Sequence, residues 1–174
     1  GDTPTITIQR AMTRLKSVFV TFYQPGQGVE QTLVNTFCHP QLGIGANDPF
    51  LSNVNDYEVQ MQLGSKLFPE IPMRSGAEMF SQLKKSLGVH GSSAHSVDIS
   101  PTDYWGYKHV IGFDTERVLG AAFTGISTRA GDLLTIRFKN LQLGSGSDRV
   151  SQVYVTLVYD GICSISDQGI QVFD

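Results

Sequence analysis

"DYEVQMQLGSKLFPEIPMRSGAEMFSQLKKSLGVHG", residues 56–91, changes its hydrophobic rhythm halfway and so decides the fold. Tyr57, Val59, Met61 and Leu63 alternate with Glu58, Gln60 and Gln62, a period of two that sets one face on a core and the other in water. A half-buried strand is predicted there. Gly64 and Ser65 supply a tight turn, and "KLFPEIP" continues extended, its prolines excluding a central place in a hydrogen-bonded ladder. From Ser75 the period lengthens. Ser75 as N-cap and Glu78 three residues on form a capping box, with the carboxylate also near the positive helix end. Phe80, Leu83 and Leu87 share a face flanked by Met79, and Gly88 closes the C-terminus, so one helix of about three turns is predicted.

Outward from this stretch the chain reads as strands. Residues 3–9 are a short β-branched run, and 14–23, "RLKSVFVTFY", form the first long strand, broken by "QPGQG". Val18, Val20 and Phe22 lie on one face of it while Leu15, Phe19 and Tyr23 fill the other, which predicts cover on both sides. A shorter apolar stretch at 32–38 precedes a turn-rich loop, "HPQLGIGANDPFLSNVND". After the helix, "VHGSSAHSVDISPTDYWGY" is a long polar and aromatic connection. Strands resume at 107–113, 132–139, 149–159 and 162–173. Leu134, Ile136 and Phe138 make one inward face and Val153, Val155, Leu157 and Tyr159 another, with "GSGSD" at 144–148 as the turn between them. About eight strands, Gly/Pro-rich turns and no strand–helix alternation predict an all-β fold: an antiparallel β-sandwich of jelly-roll type with one short helix in a long connection.

Composition agrees with a single domain spanning residues 1–174, long enough to bury a core without staples. Charged residues are 17% of the chain and the net charge is −3, which supplies no basic run for nucleic acid. Nothing approaches the roughly 18 consecutive apolar residues of a membrane helix. Cys38 and Cys163 are too few for a disulfide framework; their apolar contexts predict two buried, reduced thiols and a reducing compartment. The first residue, Gly1, suggests a piece excised from a longer chain.

Chemistry is sparse. His90 and His95 lie five apart with Asp98 and His109 beyond, but the His-x-His and following Glu usual on metal-binding jelly rolls are absent. Exposed loop histidines are the better reading, and no metal or other cofactor is expected. "GSGSD" sits in a hairpin rather than a strand-to-helix elbow, and "GQGVEQ" lacks the third glycine of a phosphate loop. Asp114 and Glu116 alternate on one strand face, where a solvated edge explains them as well as paired acid–base work. No catalytic residue is assigned, and an enzyme is not expected. A serine or metal enzyme therefore gives way to binding. "DYWGYKH" gathers Tyr104, Trp105 and Tyr107, residue types enriched at interfaces, although a small cluster packed under the loop would look the same. Val18 and Val20, and Tyr154, Thr156 and Val158 opposite the core side of their strand, present second faces that the helix or another subunit must cover.

"RLKSVFVTFYQP", the stretch from "EVQMQLG" to "LKKSLG", "TRAGDLLTIRFKN" and "VYVTLVYDGICSI" together resemble the jelly-roll pattern of DNA-virus major capsid proteins, in particular the second half of the double jelly-roll type. The resemblance covers most of the chain through strand patterns rather than one signature. It implies a structural role in a virion, without catalytic residues. Its partners would be other copies or a related jelly roll, as trimers or higher assemblies, with Tyr104, Trp105, Tyr107, Val18 and Val20 as contacts. This chain holds one roll where that family has two. The competing expectation is a β-sandwich recognition module, lectin-like or receptor-binding, using the loops around 92–107.

Overall fold

A computed structural model describes residues 2–23, 37–40, 57–92, 94–106, 108–116, 125–128, 132–141, 143, 150–167 and 169–173. The expected apolar stretch at 32–38 and the loop after it lie largely outside these residues. Among the described residues nine strands and two helices follow in the order β1 (Thr5–Ile8), β2 (Leu15–Tyr23), β3 (Glu58–Leu63), β4 (Lys66–Met73), α1 (Gly76–Ser86), α2 (Pro101–Gly106), β5 (Ile111–Asp114), β6 (Leu134–Lys139), β7 (Gln152–Tyr159), β8 (Ile162–Ser166) and β9 (Gly169–Phe173).

All strand pairs are antiparallel. One sheet has the order β1-β6-β3-β4, a second β5-β2-β7, and β8-β9 stand as a separate hairpin. The period-two faces meet across the first two sheets. Val59, Met61 and Leu63 pair with Phe138, Ile136 and Leu134 in one layer, while Val18 and Val20 pair with Leu157 and Val155 in the other. Phe22 crosses between layers, its ring 5.8 Å from Phe138 and 5.9 Å from Tyr57, edge-on to both. The fold is an all-β antiparallel sandwich. Each such buried aliphatic or aromatic side chain contributes about 1.5–3 kcal/mol through removal from water.

The face of Val18 and Val20 is the inner one. Both are fully buried in the chain's own core, which corrects their expected place on an outer contact surface. The opposite face of β2 is partly covered by α1: Ser17 Oγ donates to the Ser86 carbonyl at 3.1 Å, and a Cβ added to Gly112 on neighbouring β5 would meet the Leu83 backbone at 3.0 Å.

Turn and cap chemistry fall where the sequence places them. Gly64 has φ +57°, which suits the first loop residue of a two-residue hairpin between β3 and β4. β4 is an edge strand, as its prolines require, and its register slips between Val59 and Met61. Gln60 Nε2 bridges that slip by donating to the carbonyls of Pro69 and Glu70, both at 3.0 Å. In α1 the Ser75 side chain accepts from Glu78 N, and Glu78 Oε2 accepts from the Ser75 and Arg74 amides. Leu87 caps the C-terminus, followed by Gly88 at φ +69°. The buried stripe of α1 is Gly76, Met79 and Leu83, while Leu87 is exposed, so the helix is rotated toward Met79 from the expected face.

Three further expectations are corrected. A second helix, α2, interrupts the connection read as irregular. The strand expected at 107–113 shortens to β5. The stretch 162–173 is two strands, turning back through Asp167 to Gly169, whose φ is +125°.

Candidate interaction surfaces

α2 is built by local chemistry. Ser100 Oγ accepts from the Asp103 amide at 3.1 Å, and Pro101 occupies the first helical position, where its missing N–H costs nothing. The short helix delivers Tyr104 inward and Trp105 sideways. Tyr104 is 3% exposed, and its hydroxyl donates to the Val110 carbonyl at 2.9 Å. It therefore serves the core, a correction to its expected place at an interface. Trp105 is half-buried over the start of α1, where a Cβ on Gly76 would lie 2.6 Å from the indole. Beside it Phe80, Ile99, Pro101 and Trp105 line an apolar cavity of about 240 Å³. Tyr107 lies outside the described residues.

Beneath Trp105 sit two histidines whose meeting the sequence did not suggest. The amide of His39 donates to the Gly106 carbonyl and that of His109 to Phe37, so residues 37–39 clasp the end of α2. The His39 ring lies 4.2 Å from Trp105 and 4.6 Å from His109. His109 is fully buried, and Tyr57 Oη lies 2.5 Å from its Nε2. Burial pushes the Tyr57 phenol well above its ordinary range, with Tyr104 adding to the effect, so Tyr57 keeps its proton. Its O–H is then the donor and Nε2 the acceptor, which places the imidazole proton on Nδ1. That atom completes no well-formed hydrogen bond, although the Tyr104 backbone beside it offsets a little of the burial effect. Burial lowers His109 to about 3; burial, then His109, lowers His39 well below the usual histidine range. Both rings are neutral at pH 7, and the Tyr57–His109 pair anchors the core.

The exposed His90 and His95 are not brought to His109, which lies in the core. Among the described residues no group of three or more His, Cys, Asp or Glu is placed to hold a metal ion. Lys16 is shared between Asp160 at 3.1 Å and Glu116 at 3.5 Å, while Asp114 Oδ1 accepts from the Glu116 amide at 2.9 Å. Partial burial raises the Asp114 carboxyl above its usual range.

Two exposed apolar surfaces stand out among the described residues. On the outer side of β7, beyond the reach of α1, Tyr154 is 50% and Val158 41% exposed. The β8-β9 hairpin follows after Asp160 and Gly161, and every residue from Gly161 to Val172 whose side chain is described is exposed. Its register puts Cys163 opposite Val172 and Ile165 opposite Ile170, so these four share one face, while Ile162, Ser164, Ser166 and Gln171 lie on the other. Ile165 is 78% exposed, and Ile170 and Val172 are each 69% exposed. Cys163, expected to be buried, lies on this exposed face, whereas Cys38 is buried with its thiol directed at the Phe22 carbonyl. The sequence reads 162–173 as one strand; the turn through Asp167 folds it into a two-stranded ribbon.

Among the described residues no helix is long and apolar enough to cross a membrane. No family model, curated protein or solved structure matches this chain.

Proposed function

We propose that the chain is a structural building block of a viral shell, a jelly-roll unit that self-associates through apolar surface left outside its sandwich. One observation carries this reading: an antiparallel sandwich with a well-filled core still exposes Tyr154, Val158, Ile165, Ile170 and Val172, large side chains that a monomer gains nothing by holding in water. A shell protein works by burying such faces repeatedly under symmetry. The strand patterns resembling double jelly-roll capsid proteins support the same role. Trp105 remains a contact candidate, since part of its indole is uncovered. Sedimentation velocity and electron microscopy of the purified chain test the proposal. Closed assemblies, from two-fold pairs to trimers or larger species, are expected at micromolar concentration, and a monomer persisting at ~100 µM would overturn it, because standard interfaces of ~1,600 Å² associate more tightly than that.

The cavity beside Trp105 favours a second reading, a recognition module that seats an apolar or sugar ring against the indole. Trp105 fluorescence in a monomeric chain, titrated with a glycan library, would then shift on binding. A Trp105→Ala variant with unchanged binding would dismiss it.

A further inference from the structure

We infer that the β8-β9 hairpin is an exchanged arm: its apolar face of Cys163, Ile165, Ile170 and Val172 lies across Tyr154 and Val158 on the outer face of β7 of a second copy, and that copy's arm does the same in return. This deepens the self-association reading and rests on it. A two-stranded hairpin is marginal alone in water, yet β8 and β9 pack on each other and on almost nothing else among the described elements. One side of the ribbon is apolar through Cys163, Ile165, Ile170 and Val172, while the other carries Ser164, Ser166 and Gln171 with Ile162 at its base. An apolar side of this kind is expected of a strand pair with a surface to lie on, and among the described elements its own sandwich supplies none.

A second copy fits best. Apart from Asp167 at the turn, β8 and β9 carry no charge, so nothing steers them to a charged partner. The matching patch is on the same chain: Tyr154 and Val158 sit on the strand immediately before the arm, on the side that α1 leaves open. Each arm strand of five residues spans about 17 Å and the four-residue step from Tyr154 to Val158 about 13 Å, so one arm covers the patch. Area decides between one-way and mutual docking. A standard interface buries about 800 Å² per partner, of which little more than half is apolar. Two exchanged arms related by a two-fold bury twice the surface of one-way docking and so come nearer to that size than one arm does.

The test uses the full chain with Ile165→Asp/Ile170→Asp on the arm, Val158→Lys on the acceptor, and Ile71→Asp as control, since Ile71 is 76% exposed on β4, outside the contact. Circular dichroism checks that each variant is folded, which is expected because none of these side chains is in the core. Sedimentation equilibrium should show wild type and Ile71→Asp associating alike, with arm and acceptor variants weakened 100-fold or more. Mixing the arm and acceptor variants should restore heterodimers in part, since one intact arm then meets one intact acceptor. A monomeric wild type would remove the self-association reading altogether and leave the arm to a different protein. An assembled wild type whose arm variants assemble equally well would overturn the arm exchange alone. Arm variants that dissociate while Val158→Lys does not would overturn the assigned acceptor, as expected if two arms packed on each other.

Discussion

Lowering the pH from 7 to 5 should strip stability from this protein through His109. The folded histidine sits at about 3 because its ring is sealed in the core, whereas the unfolded one takes its ordinary value of about 6.5. A depressed folded pKa means that the unfolded state takes up the proton first. The stabilisation is therefore whole above pH 6.5 and is lost as pH falls from there toward 3. At 1.36 kcal/mol per pH unit, the drop between pH 7 and 5 is about 2 kcal/mol for His109 alone. His39, lowered by the same burial, adds loss of the same sign. The groups facing His109 are Phe22, Tyr57, Tyr104, Trp105 and His39, with no carboxylate among these rings to shelter an imidazolium. Asp114, raised by burial, works in the opposite direction as its carboxyl protonates. Urea unfolding at fixed protein concentration, repeated across this pH range on wild type and His109→Gln, measures the effect. The variant should be less stable at pH 7, having lost the imidazole that accepts from Tyr57, but its stability should fall by about 2 kcal/mol less between pH 7 and 5. Equal slopes in the two proteins, or a His109 ring proton that titrates near 6.5 by NMR, would refute the buried neutral assignment.

Ser75→Ala removes the oxygen that accepts from Glu78 N and should cost about 1 kcal/mol in urea unfolding, with Ser75→Asn recovering most of it. Gly112→Ala should cost about 1–3 kcal/mol, because its new methyl would press the Leu83 backbone and Ser86 and lift α1 from the sheet; unchanged stability would show that the helix is looser there. A thiol reagent should label Cys163 rapidly in dissociated native protein and Cys38 only after unfolding, as followed by mass spectrometry. If Cys163 lies under an exchanged arm, its labelling should slow as concentration rises.

The parts of this fold legible in the sequence are those governed by neighbours in the chain. Tyr57 to Leu63 and Leu134 to Phe138 alternate cleanly because each strand has one wet face, and the Ser75–Glu78 box marks a helix start through four consecutive residues. α2 carried a comparable signal in Ser100, Pro101 and Asp103, outweighed by the polar run around it. Which face of β2 points inward was not legible, since both faces are apolar and the choice depends on where α1 settles. The histidine cluster was less so: His39, Tyr57 and His109 are separated by long intervals, and no local pattern says that they meet. The apolar context of Cys163 implied burial, but apolar composition states only that a surface exists, not which molecule covers it.

β4 borders its sheet with two imino acids, Pro69 and Pro72, both within the stretch where its register with β3 slips. Two missing amide donors together with that slip leave the margin unable to template a regular further ladder. β7, at the limit of the other sheet, has no proline in eight residues. Regular backbone zippering between molecules is thus hindered on one flank and permitted on the other, a built-in directionality that limits indiscriminate fibril growth.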